Sequence, residues 1–306
     1  MLKTMEDNVK NNIKAYSDIF IKYLFSSKGH EHILKAFIND VFIDSGFSTI
    51  KSVEIKNPFT VQMTKSEKMI ITDIRACDEN GKIYNIEVQS TKDADYDKRV
   101  LYYWSKLYTS ELSKGESYSL LKPTISINIL NFILINENDN FHNVYYLANN
   151  NDPKLMLNDH LFIHFLELPK LKTKFKKLGK LEKWLYIFNM LGQGDVDMTT
   201  IIKDDKILEE VHEKYLAFSQ DPQKRALYEA WVEAERKEIS RIEQALREGR
   251  MQGIEQGIEK GIEKGIEKEK IILVRNLLDE GMDISFISKV TGLSSHEIKK
   301  LNNNHK

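Results

Sequence analysis

The chain of 306 residues has one cysteine, Cys77, so it forms no internal disulfide and no zinc-type cysteine cluster. It also lacks any run of 18 consecutive apolar residues, which excludes a helical membrane span. Its first residues, Met1 to Asn8, are polar and carry no apolar stretch of the kind a secretory signal needs, so a cytoplasmic protein is expected. An excess of positive charge is missing too. Lys plus Arg number 45 and Asp plus Glu 46, for a formal net charge of -1, so a nucleic-acid surface must come from local segregation of charge. No glycine-rich phosphate loop and no nucleophile elbow is present. What is present is 41% hydrophobic residues, enough to bury the core of one sizeable domain with appendages.

Two β-type runs, about 69 to 77 and 82 to 90, are joined by a turn at Asn80-Gly81, and each carries an acidic residue among β-branched neighbours: Asp73 in the first, Glu87 in the second. A carboxylate on a strand face costs on the order of several kcal/mol of desolvation unless a positive group sits beside it. Two of them on adjacent strands point to a divalent metal or a catalytic pair. Alternation places Asp73 with Ile71 and Arg75, and Glu87 with Asn85 and Gln89. A two-residue Asn80-Gly81 loop sets Asp73 opposite Val88 and puts the acids on opposite faces. A three-residue Glu79-Asn80-Gly81 loop with Gly81 left-handed sets Asp73 opposite Glu87. Only the second register makes a site.

Around this hairpin the apolar periodicity is regular. Ile19, Phe20, Tyr23 and Leu24, then Ile33, Leu34, Phe37 and Val41, predict two helices within 16 to 44, separated at Gly29. Ser17 and Asp18 are N-cap candidates for the first, and Asp18 could equally add a third carboxylate. A strand is predicted at about 50 to 55. A helix from about 93 to 113 carries Val100, Tyr103, Trp104, Leu107 and Tyr108, and strands follow near 125 to 132, 143 to 147 and 160 to 168. This order predicts a sheet with helices on its faces. His160 and His164 sit four apart in a strand-like run, so they are read as structural. Beyond Pro169, Leu178, Leu181, Trp184, Leu185 and Phe188 form an amphipathic stripe, and a long helix is predicted from Asp221-Pro222. The lysines from Lys170 to Lys180 either track phosphates or coat a solvated helix face, the latter being favoured.

The long helix runs into four tandem tetrapeptides that begin at Gly253, Gly257, Gly261 and Gly265. Glycine costs a helix about 1 kcal/mol relative to alanine, so this segment cannot owe its order to propensity. A period of four rotates the Ile254, Ile258, Ile262, Ile266 stripe in the sense of a right-handed supercoil. Either a self-associating stalk or a linker follows. From Ile271 onward three short helical segments, with a turn at Gly292 and a Ser294 to Glu297 capping box, resemble a helix-turn-helix.

Asp73, followed fourteen residues on by Glu87-Val88-Gln89, resembles the Asp…Glu-x-Lys core of the PD-(D/E)XK nucleases, with Gln89 in the lysine position. With Ser17 to Phe25 ahead, Asp97 to Tyr108 behind and Leu121 to Leu130 after that, the chain is similar to the Rpn group of recombination-promoting nucleases and transposases. The resemblance implies an α/β fold: a PD-(D/E)XK restriction-endonuclease-like core of mixed sheet flanked by helices, with a helical C-terminal arm. It implies Mg²⁺ or another divalent cation held by Asp73, Glu87 and the Val88 carbonyl, with residue 89 orienting water. Gln89 lacks the lysine's charge, which Arg99, Lys98 or Lys22 would supply, and a lysine at 89 is expected to keep or raise activity. The domains expected are a nuclease domain at 1–190, a helical extension at 191–248, a repeat helix or linker at 249–270 and a helix-turn-helix-like module at 271–306. The expected function is metal-dependent DNA cleavage of low sequence specificity in recombination or in defence against foreign DNA. Expected partners are DNA, a second copy through the C-terminal arm, and a shorter C-terminal product of the same gene, with no membrane. The alternative is a decayed nuclease fold that binds DNA or assembles.

Overall fold

Three- and four-residue spacing of apolar side chains gives helices α1 (Asp18–Ser26) and α2 (Glu31–Asp44), interrupted at Gly29, where a φ of +87° suits glycine. The Ser17 hydroxyl caps α1 by accepting from the Phe20 N–H. There follow β1 (Val53–Lys56), the short pair β2 (Thr60–Val61) and β3 (Ile70–Ile71), then β4 (Ile74–Asp78) and β5 (Ile83–Gln89). Helix α3 (Tyr96–Thr109) and strands β6 (Thr124–Leu130), β7 (His142–Tyr146) and β8 (Leu161–Glu167) come next. Helices α4 (Lys180–Met190), α5 (Thr199–Ile202), α6 (Lys206–Gln220), α7 (Pro222–Asp279), α8 (Ile284–Thr291) and α9 (Ser295–Asn303) complete the order. The computed structural model describes residues 13–56, 60–61, 70–71, 74–171, 178–193 and 198–303. The chain forms two compact units, one ending at Ala234 and the other starting at Glu235.

In the first unit six strands form one mixed sheet in the order β1-β4-β5-β6-β8-β7. β1, β4 and β5 are antiparallel neighbours, β5, β6 and β8 are parallel, and β7 is an antiparallel edge. The β4–β5 turn is the three-residue one. The Asp78 N–H reaches the Lys82 carbonyl at 3.1 Å, and Gly81 has φ +78°. The buried Asp78 carboxylate accepts from the N–H groups of Asn80 (2.8 Å) and Lys82 (2.9 Å) and from the Tyr84 hydroxyl (2.9 Å). Burial and the adjacent Asp78 push the Tyr84 hydroxyl well above its ordinary pKa, so it stays protonated as a donor. The resulting register pairs Ile74 with Ile86 and Arg75 with Asn85. Asp73, one residue before Ile74 in the chain, lies outside the described residues.

One sheet face, with Tyr84, Ile86, Ile125, Ile127, Ile129 and Leu166, packs in the main core with apolar residues of α1, α2, α4 and α6. On the other face Leu130, Leu161, Ile163 and Phe165 meet Tyr96 and Val100 of α3. That second face turns polar on β5 and β6, where Asn85 and Glu87 lie in register with Ser126 and Asn128 and Gln89 follows beside Leu130. At its far side Glu167, fully buried, accepts from the N–H groups of Leu134 (2.6 Å) and Ile135 (3.0 Å) and pairs with Lys170 at 2.8 Å. Lys170 is therefore an interior ion-pair partner, neither a phosphate contact nor part of a solvated face. Residues 172–177 of that basic segment lie outside the described residues.

In the second unit α7 continues as helix through the tetrapeptides, and the end of α7 packs with α8 and α9 around Val274, Ile287 and Ile298. Of the three short helical segments expected there, the first is the end of α7 and the other two are α8 and α9. Gly292 ends α8 in the left-handed conformation at φ +72°, and Ser294 and Glu297 exchange the hydrogen bonds of a capping box. Within the described residues no helix is long and apolar enough to cross a membrane.

Candidate active site

β5 lies where the sheet changes from antiparallel pairing with β4 to parallel pairing with β6. The polar side chains at its C-terminal half open into a cavity of about 320 Å³. Glu87 and Gln89 come from β5, Ser126 and Asn128 from β6, Arg99 and Tyr103 from α3, Asp18 from the first turn of α1, and Trp231 from α7. Trp231 stacks on Tyr228 with ring centroids 5.6 Å apart, and the Tyr228 hydroxyl accepts from the Lys14 N–H. Sequence reasoning gave Trp231 no role. Its distance along the chain from the hairpin hides its place in the fold.

Arg99 is a cation brought to the acidic strand. Its Nη2 donates to Gln89 Oε1 at 2.9 Å, its Nη1 meets Asp93 Oδ2 at 3.0 Å, and its guanidinium lies 4.9 Å from the Tyr96 ring centroid. Gln89 Nε2 donates in turn to the Thr91 carbonyl at 3.1 Å. Position 89 thus carries no charge of its own but holds one at hydrogen-bond distance. Of the other two cations considered, Lys98 is exposed and pairs with Asp95, while Lys22 pairs at 3.0 Å with Asp18, itself a cavity-lining carboxylate. Val88 also lines the cavity, with its side chain packed against the main core.

The first helix contributes more than its sequence reading settled. Ser17 is the cap, which leaves the Asp18 carboxylate to line the cavity with Glu87. The available signal was the capping hierarchy itself, since one of two adjacent candidates must be surplus. Asn85 sits behind Glu87 and donates from Nδ2 to Glu87 Oε1 at 3.0 Å, and its own Oδ1 is buried with no hydrogen-bond partner among the described residues. A buried carbonyl oxygen without a donor costs about 1–3 kcal/mol, so this wall of the cavity is incomplete as protein alone. Two carboxylates and an amide oxygen are hard oxygen donors of the kind Mg²⁺ takes. Among the described residues no cluster of three or more His, Cys, Asp or Glu side chains is close enough to hold a metal, and Asp73 stands outside that set.

A profile of the PD-(D/E)XK nuclease family transposases matches residues 15–245. The chain belongs to this family. No curated protein and no solved structure matches it. The PD-(D/E)XK match covers every cavity-lining residue from Tyr16 to Trp231, so the arrangement of Glu87, Gln89, Arg99 and Asp18 lies wholly inside the family region.

The histidines read as structural make no contact with this cavity. His160 Nδ1 meets the Tyr108 hydroxyl at 2.9 Å. His164 is buried on the opposite sheet face, with Nδ1 3.0 Å from His142 Nε2, and His142 Nδ1 is 2.6 Å from Asp44. Burial, and secondarily His142, lower the His164 pKa to about 3, so it is neutral at physiological pH.

Proposed function

We propose that the chain is a metal-dependent DNA endonuclease of low sequence specificity, acting in recombination or in defence against foreign DNA in the cytoplasm. The convergence of Glu87, Gln89, Arg99 and Asp18 on one cavity, in a chain of the nuclease family, carries this reading. Glu87 and Asp73, with the Val88 carbonyl, are assigned as ligands of Mg²⁺, and Asp18 and Asn85 Oδ1 as oxygen donors close to it. The bound cation would polarise the phosphoryl oxygen and lower the pKa of the attacking water. Gln89 keeps one N–H and one lone pair beyond its bonds to Thr91 and Arg99, enough to orient a water. Arg99 supplies the charge that faces the phosphate as its negative charge grows. Low specificity accords with a site built to grip phosphate, since phosphate contacts carry no base information. Further assignments are assembly through the C-terminal arm, restraint by a shorter C-terminal product of the same gene, and a division of the chain at 1–190, 191–248, 249–270 and 271–306.

A second reading, a decayed nuclease fold that binds DNA without cutting it, is favoured by the same pair. Both ends of the Gln89 amide are engaged within the protein. Purified chain assayed on supercoiled and linear DNA, with Mg²⁺ and with chelator, separates the two. Cleavage that needs the metal and disappears in Glu87→Gln and Asp73→Asn supports the nuclease. DNA binding without cleavage supports the second reading, and full cleavage by either variant removes the site assignment.

A further inference from the structure

Of the three tryptophans, two are engaged by the fold. Trp184 is buried and donates from Nε1 to Asp40 at 2.9 Å, and Trp104 donates to the Thr124 carbonyl at 2.7 Å while stacking on Tyr108. Trp231 is different. It is half-buried, it lines the cavity of Glu87, Asp18 and Arg99, and its Nε1 has no hydrogen-bond partner among the described residues. An indole N–H ordinarily finds an acceptor when its ring is covered, and this one is left for whatever enters. Holding a cation and gripping a phosphate use carboxylates, amides and a guanidinium, so an aromatic surface in this wall answers to another part of the ligand.

The indole is firmly held. Tyr228, one turn earlier on α7, stacks on it with 29° between ring planes and 5.6 Å between centroids, and both residues belong to the unit that ends at Ala234. Tyr228 is itself buried, and its hydroxyl accepts from the Lys14 N–H at 3.1 Å. The Lys14 carbonyl in turn accepts from the Ser17 N–H at 3.0 Å, so the segment that steadies Tyr228 runs directly into Asp18. Trp231 is thus backed by a fixed ring and borders a cavity of about 320 Å³, at the low end of the volumes that hold small ligands. That is room for one nucleotide and not for a duplex.

We propose that Trp231 is the platform on which one unpaired base of the substrate stacks, so that the site takes single-stranded DNA or a duplex opened at that nucleotide. The proposal rests on the nuclease reading for the placing of the phosphate among Glu87, Gln89 and Arg99, whereas the stacking itself needs no cleavage. A base in a closed duplex is already stacked on both faces. It must be unpaired to enter a pocket of this size, which costs least where the strand is already single. Stacking on an aromatic ring accepts every base, because every base has a π face. A site that grips phosphate with charge and base with an indole is therefore selective for strand state and indifferent to sequence, in keeping with low specificity. The Nε1–H adds a donor for an oxygen of the base or its phosphate.

The test uses the full chain in chelator, where metal-dependent cleavage cannot proceed, and one oligodeoxynucleotide offered as a single strand, as a blunt duplex and as an abasic single strand of the same length. Binding is read by anisotropy and by tryptophan emission. The single strand is expected to bind more tightly than the duplex and to quench the emission, and Trp231→Phe is expected to remove the quenching while keeping most of the affinity. Trp231→Leu keeps an apolar side chain without a π face, so it is expected to weaken the single strand by about 5- to 100-fold, the worth of one stacked base. The abasic strand is expected to bind the wild type and Trp231→Leu alike, since only phosphate contacts remain. Thermal melts check the fold. If the leucine variant melts early, the wild type carries the test alone through its preference for the single strand over the abasic one. Equal binding of the single strand by the wild type and a folded Trp231→Leu, an equal loss for the abasic strand, tighter binding of the duplex, or emission unmoved by the single strand each overturns the proposal. Cleavage by a protein that fails these tests leaves the nuclease reading intact, and stacking in a protein that never cuts removes that reading and keeps the platform.

Discussion

Arg99 at 2.9 Å from Gln89 changes what a lysine at position 89 should do. From the family pattern alone the substitution restores a missing cation. In the folded protein it sets an ammonium beside a guanidinium that is already there. Two unit charges about 4 Å apart repel by about 4 kcal/mol at an effective dielectric of 20. Arg99 is 28% exposed and residue 89 half-buried, so screening reduces this to about 1–2 kcal/mol. At about 1.4 kcal/mol per factor of ten, Gln89→Lys is expected to lower single-turnover cleavage by about 5- to 30-fold. Arg99→Gln removes the cation and is expected to cost about 100-fold, in the range of losing one preorganised donor. The double variant, in which the ammonium introduced at position 89 is the sole cation of the pair, should recover at least tenfold over Arg99→Gln. The assay is a double-mutant cycle of cleavage rates at fixed Mg²⁺, with thermal melts to show that all four proteins are folded. A coupling of at least about 2 kcal/mol is expected. Strict additivity, or a rate gain from Gln89→Lys with Arg99 in place, would refute the argument that the two positions share one charge.

Asp18→Asn is expected to reduce cleavage with little change in stability, because the Asp18–Lys22 pair it breaks is partly exposed and such pairs are worth about 0–1 kcal/mol; unchanged cleavage would reduce Asp18 to a helix-terminal residue. Glu167→Ala is expected to cost about 3–5 kcal/mol in urea unfolding, since it strands Lys170 and the Leu134 and Ile135 N–H groups in the interior; a loss under about 1 kcal/mol would contradict the buried network. His164 is depressed to about 3 in the folded state, so the unfolded chain takes its proton first as pH falls. Its contribution is full above about pH 6.5 and is lost progressively toward pH 3. His164→Phe should flatten that acid side of the stability curve, and unfolding at pH 7 and pH 5 that drops equally in both proteins would count against it.

Periodicity carried the helices and strands well, because apolar residues repeat at 3.6 or at 2 wherever one face is buried. Ile33 to Val41 and Ile125 to Ile129 are cases where local pattern and tertiary packing agree. The hairpin register was legible only as a fork, since Asn80-Gly81 suits either loop. Asp78 decides it by binding two backbone N–H groups of the turn, and an Asp two residues before the Asn-Gly pair was the available clue. The site itself was half legible. Alternation put Asn85, Glu87 and Gln89 on one face. That β6 lies beside them with Ser126 and Asn128 follows only from the parallel crossover, which no local pattern encodes. Arg99 was within reach of the sequence, but its partner was not. The angle at which α3 returns over β5 sets the Gln89 contact.

The loop from Glu79 to Gly81 acts as a parity switch for a site it does not touch. Beyond it, the side chains of Asn85, Glu87 and Gln89 face the cavity and those of Tyr84, Ile86 and Val88 the main core, and β6 holds β5 in place from the other side. Adding or deleting a single loop residue therefore cannot simply slide the strands. Either β4 or β5 would have to roll its polar side chains into the isoleucine layer or bulge to absorb the change. A two-residue change preserves the facing. Length variation in this loop should be tolerated in even steps only, and a one-residue lesion there should abolish activity as thoroughly as loss of Glu87.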